Sequence, residues 1–184
     1  FLAGSASSGD VRAAQVLFNL GYPSAFPLIV GSLSEKGKLD AQESVAGLGR
    51  IWGNLNTAQR DQAHELLRKQ LSTAGWFMQM QVVEVLGHIK SQADVGAILE
   101  LVSKGTLDPE EIMCGRALGR MGWYAGLEQA LWAAFQQGNE HVCRTMVHAW
   151  RMRGAVQSGR YLLRALGPSN IKSVTHGIHD SNLA

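Results

Sequence analysis

The residues best suited to catalysis or metal binding are few and scattered along this chain. His64 and Glu65 form a single His–Glu pair, which supplies too few ligands for a two-metal centre. Cys143 follows His141 by two residues, and side chains two apart on a helix point to different faces. A Cys–His nucleophile pair is therefore not supported.

The remaining candidates for chemistry are weaker still. His176 and His179 have ligand-like spacing but lie in a predicted flexible tail. Cys114 and Cys143 are isolated, without CxxC or Cys/His ligand spacing, which argues against a zinc site and a disulfide framework. The chain also lacks a phosphate-binding glycine loop, a serine elbow and an acidic cluster for magnesium. We therefore predict no catalytic residues, no metal and no cofactor.

Basic side chains recur at one position of a repeated Leu-Gly motif. The residue after the motif is Tyr22, Arg50, His88 or Arg120, and the position in register further on is Arg151. One interpretation is a basic edge that binds an acidic peptide or nucleic-acid phosphate. The other is that each cation complements the negative end of a helix dipole, worth about 0.3–1 kcal/mol each.

The C-terminal half is basic, with eight lysines or arginines against two acids between residues 112 and 172. Arg116 with Arg120 and Arg160 with Arg164 are like-charged pairs four residues apart, which are unfavourable unless something neutralises them. Such a surface suits an acidic partner, and a solvated face balanced by the more acidic preceding repeats is the alternative. The eight residues are Arg116, Arg120, Arg144, Arg151, Arg153, Arg160, Arg164 and Lys172.

The tryptophans divide into core and surface candidates. Trp132 and Trp150 lie within apolar helical stripes and are predicted to be core. Trp76 and Trp123 begin helices next to glycine, where an indole can be half exposed and can anchor a peptide or stack on a base. Packing between repeats is the alternative for these two. The predicted partner-binding residues are Arg50, His88, Arg116, Arg120, Arg144, Arg151, Arg160, Arg164, Trp76 and Trp123.

The elements that must position these residues are indicated by a long repeat. Leu-Gly pairs begin at residues 20, 48, 86 and 118, a spacing typical of helix-pair repeats. Apolar residues at helical spacing precede each pair, and a second such stretch follows it. The glycine is predicted to let paired helices approach closely. Ten helices are predicted, in pairs: 10–20 with 24–34, 40–52 with 57–73, 75–89 with 92–103, 109–121 with 124–137, and 139–152 with 156–166.

Helix start signals fall where this scheme needs them. Asp40 with Glu43, Asn56 with Gln59, and Ser91 with Asp94 have the spacing of an N-cap and its third-position partner. The segment 108–111, Asp-Pro-Glu-Glu, combines a cap, a first-turn proline and two acids at the positive end of the helix dipole. The chain lacks the period-two alternation that a sheet requires, so an all-α fold is predicted.

Composition agrees with one folded domain. Among the 184 residues, 46% are apolar and 17% are charged, and the net charge of +2 does not mark the whole chain as a nucleic-acid binder. No apolar run is long enough to span a bilayer. The chain starts at Phe1 without a methionine, which suggests a fragment or a processed product. The predicted organisation is an N-terminal extension over 1–9, a repeat domain over 10–167 and a flexible tail over 168–184.

The pattern A-x-x-x-L-G-x-h followed by an amphipathic helix resembles the HEAT-like (armadillo-like) repeat superfamily. It is seen in residues 43–51, 83–89 and 114–121. The resemblance implies a right-handed α-solenoid of about five antiparallel helix pairs. Within that superfamily, the deoxyhypusine hydroxylases repeat a His–Glu pair on several helices to hold two irons, whereas here the pair occurs once.

The resemblance implies a binding surface without naming its ligand. The predicted function is a non-catalytic protein-interaction or scaffold module, which binds an acidic surface or peptide through the solenoid groove and the basic C-terminal half. The alternative is nucleic-acid binding through the same arginines. An enzyme whose active residues converge from several repeats is a third possibility. The predicted location is the cytoplasm, or outside the cell if the chain is part of a longer secreted protein.

Overall fold

The computed structural model describes residues 4, 10–34, 39–104, 108–122, 129, 133, 136 and 139–152. These residues are almost entirely helical, and none of them lies in a β-strand. Short 3₁₀ turns precede or extend several helices. The α-helices are α1 Val11–Asn19, α2 Phe26–Gly31, α3 Leu39–Ile51, α4 Thr57–Thr73, α5 Trp76–His88, α6 Val95–Lys104, α7 Asp108–Arg120 and α8 Glu140–Met152.

The all-α prediction is confirmed for the described residues. The bounds of the observed helices match the predicted ones within two residues, except where a 3₁₀ turn replaces the end of a predicted α-helix. Residues 23–25, 32–34 and 92–94 are 3₁₀ turns at the ends of predicted helices. Of the predicted helix over 124–137 only residues 129, 133 and 136 are described, and they are helical. The predicted helix over 156–166 and the predicted tail over 168–184 lie outside the described residues.

Helix starts follow the local signals to different degrees. The Asn56 side chain accepts from the Gln59 amide, and the Gln59 side chain accepts from the Asn56 amide, so this capping box is confirmed. Ser91 instead donates its hydroxyl to the buried Asp94 carboxylate and makes no cap bond. Asp10, which the sequence did not single out, caps α1 by accepting from two backbone amides.

The chain divides into two compact units, residues 1–85 and 86–184. In the N-terminal unit, α1 packs against α3, and the core includes Ile29, Leu48 and Leu67. Gly49 of α3 approaches Val85, and an added Cβ would lie 3.4 Å from its methyl group, which is ordinary van der Waals contact. Each apolar stripe is therefore buried against neighbouring helices, as amphipathic helices require.

In the C-terminal unit, backbones approach more closely. A Cβ added at Gly87 would lie 2.6 Å from the Cα atom of Ala117 in α7. One added at Gly115 would lie 2.6 Å from the carbonyl oxygen of Thr145, and one at Gly119 would lie 2.6 Å from the Cβ atom of Met152. The described part of this unit is thus built on direct backbone contact along α7, on one side with the end of α5 and on the other with α8.

These contacts change the explanation offered for the Leu-Gly motif. The sequence predicted that its glycine lets the two helices of one pair approach closely, but Gly87 and Gly119 instead contact the first helix of the next predicted pair. Gly21 has a different role, because it adopts φ +92° after α1 and has nothing within 4 Å of an added Cβ. Its amide and that of Tyr22 close the helix end on Phe18 and Leu17 as a Schellman motif.

Lys90 occupies the same left-handed position after α5 that glycine occupies after α1 and α7. Its φ is +58°, whereas Gly21 and Gly122 have φ of +92° and +88°. The amides of Lys90 and Ser91 bond back to Gly87 and Leu86, which completes the same closing motif. The lysine is exposed, so its side chain does not explain the strained backbone.

Lys90→Gly is therefore expected to stabilise the protein by about 0.5–1 kcal/mol, because glycine adopts this conformation without the Cβ strain. Urea denaturation of the full chain measures the change. Gly122→Ala provides the matched control and is expected to shift stability by a similar amount in the opposite direction. A Lys90→Gly variant less stable than the parent would contradict the strain argument.

Candidate binding surfaces

The predicted basic ladder lies at helix ends. Arg50, His88, Arg120 and Arg151 each fall in the last turn of their helix, and all four are exposed. In this position a cation complements the helix dipole, as the alternative interpretation expected. The same exposure leaves the four side chains accessible to a partner, so both interpretations stay open.

The other predicted partner-binding residues have three different environments. Arg116 is exposed on α7, as is Trp76 at the start of α5. Arg144 is largely buried and engaged within the C-terminal unit. The remaining predicted residues, Arg160, Arg164 and Trp123, lie outside the described residues, and so does Trp132. Trp150 is buried, as predicted for a core tryptophan.

Arg144 belongs to a buried cluster with Glu111 and His141 (the Glu111 cluster). Arg144 donates to both carboxylate oxygens of Glu111. The distance is 2.5 Å from Nε to Oε2 and 2.7 Å from Nη2 to Oε1. Nδ1 of His141 contacts Oε1 of the same carboxylate at 2.5 Å. Side-chain exposure is 5% for Glu111 and 15% for Arg144, so this is a bidentate ion pair withdrawn from solvent. The cluster ties the first turn of α7 to α8.

A second polar network lies at the surface of the N-terminal unit. Oε1 of Glu43 accepts from Nη1 of Arg50 at 2.8 Å, and Oε2 accepts from Nη2 of Arg12 at 3.2 Å. Gln15 lies beneath, accepting from Arg50 at 3.0 Å and donating to the Glu43 backbone carbonyl at 3.2 Å. We call these four residues the Arg12–Arg50 clamp.

The clamp borders an open depression of about 660 Å³. Its wall combines charged and amide side chains from the start of α1, from α3 and from α5 with two apolar residues. The sequence singled out Arg50 here but missed Arg12 and Gln15. The lining residues are Asp10, Val11, Arg12, Gln42, Glu43, Ala46, Arg50 and Gln81.

The two guanidinium groups of the clamp hold the pKa of Glu43 below its usual range, chiefly through the hydrogen bond from Arg50 and then through that from Arg12. Because the folded-state pKa lies below the unfolded one, the clamp stabilises the fold above the ordinary glutamate pKa of about 4.3. That contribution is lost as the pH falls through this value toward the lowered folded-state pKa.

Glu43→Gln is expected to be less stable than the parent protein near pH 7 by up to about 1 kcal/mol, because the pairs are solvent-exposed. The difference should shrink as the pH falls below about 4.3 and the parent carboxylate takes up its proton. Urea denaturation at a series of pH values measures it, with 0.5 M salt as a second condition that should also reduce it. An equal difference at neutral and acid pH would contradict the assignment.

Two aromatic side chains form an exposed pair at the start of α5. Trp76 is 53% exposed and Phe77 is 47% exposed. Their ring centroids are 5.7 Å apart, and the ring planes meet at 87°. This edge-to-face contact is a favourable arrangement of two aromatic rings. The Trp76–Phe77 pair is thus an apolar feature that faces solvent.

Neither a cluster of metal-ligating side chains nor a membrane-spanning helix occurs in the described residues. No group of three or more histidine, cysteine, aspartate or glutamate side chains there is placed to hold a metal ion. Among those same residues, no helix has the length and apolar character needed to cross a bilayer.

Comparisons with protein-family models, with curated proteins and with solved structures found no match to this chain.

Proposed function

We propose that this chain is a non-catalytic protein-interaction module, and the exposed Trp76–Phe77 pair is the observation that carries the proposal. Two aromatic side chains left about half exposed give up hydrophobic stabilisation that burial would provide, at about 25 cal/mol per Å² of apolar surface. Covering them with a partner recovers that free energy. Tryptophan in particular is enriched among the residues that dominate protein interfaces.

The geometry of the pair favours a protein partner over stacked bases. In an edge-to-face pair the edge of one ring covers a face of the other, so fewer ring faces remain for stacking on a base. Both rings still offer edges and apolar surface to a protein pocket. The exposed Arg116, Arg120 and Arg151 of the C-terminal unit add basic groups that suit an acidic partner.

The proposed architecture behind this function is a HEAT-like solenoid. Supporting it, α1 contacts α3 and α7 contacts α8, which is the relation expected between first helices of successive repeats. The Gly87 contact with Ala117 relates α5 to α7 in the same way. Small-angle X-ray scattering tests the proposal: a solenoid gives an asymmetric distance distribution, and a symmetric one would contradict it. A cytoplasmic location, or a place in a longer secreted chain, belongs to the same proposal.

Capture of partners from native lysate, read by mass spectrometry with and without nuclease, tests the function. The variant Trp76→Ala/Phe77→Ala is compared with Tyr22→Ala, which removes another exposed aromatic side chain. A nuclease-resistant partner retained by Tyr22→Ala and lost by the double variant supports the proposal. Equal capture by both variants would contradict the role of the aromatic pair.

Nucleic-acid binding through the exposed arginines is the second candidate. It predicts that recovered material disappears after nuclease treatment. It also predicts that the logarithm of the affinity for single-stranded DNA falls linearly with the logarithm of the salt concentration. Replacement of Arg116 and Arg120 by glutamate should then reduce that slope, whereas the aromatic variants should leave it unchanged.

A further inference from the structure

The Arg12–Arg50 clamp has a buried support that its own stability does not explain. Side-chain exposure is 79% for Arg12 and 58% for Arg50, so their ion pairs with Glu43 are screened by water and contribute little to folding. Gln15 beneath them is only 6% exposed and uses both ends of its amide within the clamp. The buried Gln15 amide fixes the orientation of the exposed Arg50 side chain. A fixed orientation is useful when Arg50 has to bind a ligand.

Gly47 of α3 provides the space for this support. A Cβ added there would lie 2.1 Å from Nε2 and 2.5 Å from Cδ of Gln15, so the amide occupies the volume of a missing side chain. Glycine in a helix interior is less favourable than alanine, because it loses more backbone freedom on folding. Gly47 thus weakens α3 but leaves space for the Gln15 amide. That amide in turn accepts a hydrogen bond from Arg50 and positions it.

The clamp leaves hydrogen-bond donors available at the depression. A guanidinium has five N–H donors, and the bonds within the described residues occupy one terminal nitrogen of Arg12 and one of Arg50. Both arginines line the depression together with the amides of Gln42 and Gln81. Two positively charged guanidinium groups share the single negative charge of Glu43. A second carboxylate can therefore accept hydrogen bonds from their remaining N–H groups, whose forked geometry suits a carboxylate.

The lining favours a peptide over a polyanion. Of the two acids beside the arginines, Glu43 pairs with both guanidinium groups and Asp10 caps α1, so the arginines retain charge for one further carboxylate but not for a run of phosphates. The carboxylate of Asp10 is turned to the first amides of α1. Gln42 and Gln81 carry both donors and acceptors, which match the groups of a peptide backbone.

We propose that this depression binds a single aspartate or glutamate carboxylate of an extended segment in the partner protein, held between Arg12 and Arg50. The inference rests on the proposed interaction function and assigns it a second contact site, separate from the Trp76–Phe77 pair. Gln15 and Gly47 are positioning residues, since they act on the ligand only through Arg50.

The test is an NMR titration of the full ¹⁵N-labelled chain with the capped peptide acetyl-(Gly-Glu)₄-amide. Acetyl-(Gly-Gln)₄-amide controls for charge, and oligothymidylate of 20 nucleotides supplies phosphate. We expect the glutamate peptide to shift amide signals at the start of α1 and along α3, and to bind roughly tenfold tighter than its glutamine counterpart. Arg12→Gln or Arg50→Gln should remove that preference.

Gly47→Ala and Gly49→Ala form the matched pair for the positioning role. Both add one methyl group to α3, but only the first displaces Gln15, since the Gly49 site meets Val85 at van der Waals distance. Gly47→Ala should weaken the glutamate peptide severalfold, and Gly49→Ala should bind as the parent does. Thermal melts of each variant separate lost binding from lost folding.

Three results would overturn the inference. The first is no preference for the glutamate peptide at millimolar concentration. The second is a set of shifts centred on Arg116 and Arg120 rather than on α1 and α3. The third is tighter binding of oligothymidylate than of the glutamate peptide at the depression. None of these affects partner capture through Trp76 and Phe77, so the proposed function can survive the failure of this site.

Discussion

Gly87→Ala is expected to destabilise the protein by about 2 kcal/mol or more. The added methyl group would overlap the backbone of Ala117, with 2.6 Å to its Cα atom and 3.1 Å to its carbonyl oxygen. Backbone atoms cannot move aside as the end of a side chain can, so the helices must separate and lose contacts around the new group. The gain in helix propensity, about 1 kcal/mol, offsets only part of this loss.

Gly49→Ala is the control for that prediction, because Gly49 follows leucine in the same repeated motif. Here the new Cβ meets only the side chain of Val85, at 3.4 Å. With no overlap, the helix-propensity gain should dominate and stabilise the protein by about 0.5–1 kcal/mol. Urea denaturation of both variants measures the two changes. Equal effects of the two substitutions would mean that the close approach of α5 and α7 does not exist in solution.

Glu111→Gln is expected to cost about 3 kcal/mol, the second large effect. The substitution leaves the Arg144 guanidinium, 15% exposed, without the carboxylate that neutralises it. Arg144→Met should cost at least as much, since Glu111 is the more buried partner. Replacing both by apolar residues, Glu111→Leu with Arg144→Met, should cost much less than the sum, because no uncompensated charge remains.

The exposed pair Lys104–Glu100 is the control for the Glu111 cluster. Both side chains are more than half exposed, so Glu100→Gln should leave the stability nearly unchanged. Chemical denaturation of the three Glu111-cluster variants completes the double-mutant cycle. A loss below about 1 kcal/mol for Glu111→Gln would show that water screens the pair and that burial does not govern its energetics.

Features that depend on neighbouring residues were predictable from the sequence. The Asn56–Gln59 capping box is confirmed because its two bonds join residues three apart and need no tertiary contact. The same holds for the helix positions, since periodic apolar residues and turn residues act over one or two turns. Ser91 departs from its signal because its hydroxyl is oriented toward the Asp94 carboxylate, to which it donates, and it accepts no cap bond from a backbone amide.

Features that join successive helices were not predictable in the same way. Arg144 looked like part of a basic surface because its partner, Glu111, lies 33 residues earlier in the chain. Arg12 went unnoticed although Glu43 lies 31 residues later. In both cases opposite charges stand about one repeat apart. This spacing can be read from the sequence and makes an ion pair between successive repeats possible. Which of the opposite charges form a pair is decided by how the helices pack.

Gln15 carried a different signal. It lies on the stripe formed by Val11, Ala14 and Phe18, where an apolar residue is the usual choice. A polar residue on a buried stripe must find hydrogen-bond partners, and these came from Glu43 and Arg50. Gly47, the glycine that admits it, lies outside the Leu-Gly pairs, and the sequence does not reveal that an added Cβ there would meet Gln15, because that contact depends on how the helices pack.

The glycines of α7 have a consequence for how α8 is aligned along it. Gly115 and Gly119, one turn apart, each lie directly against α8, where an added Cβ would overlap His148 or Met152. Sliding of α8 along α7 by one helical turn, about 5.4 Å, would separate Glu111 from Arg144. The bidentate pair of Glu111 and Arg144 therefore favours the observed alignment of α8 along α7. An apolar replacement of the pair would keep the apolar contacts between α7 and α8 but would remove these two bonds, which form only in the observed alignment.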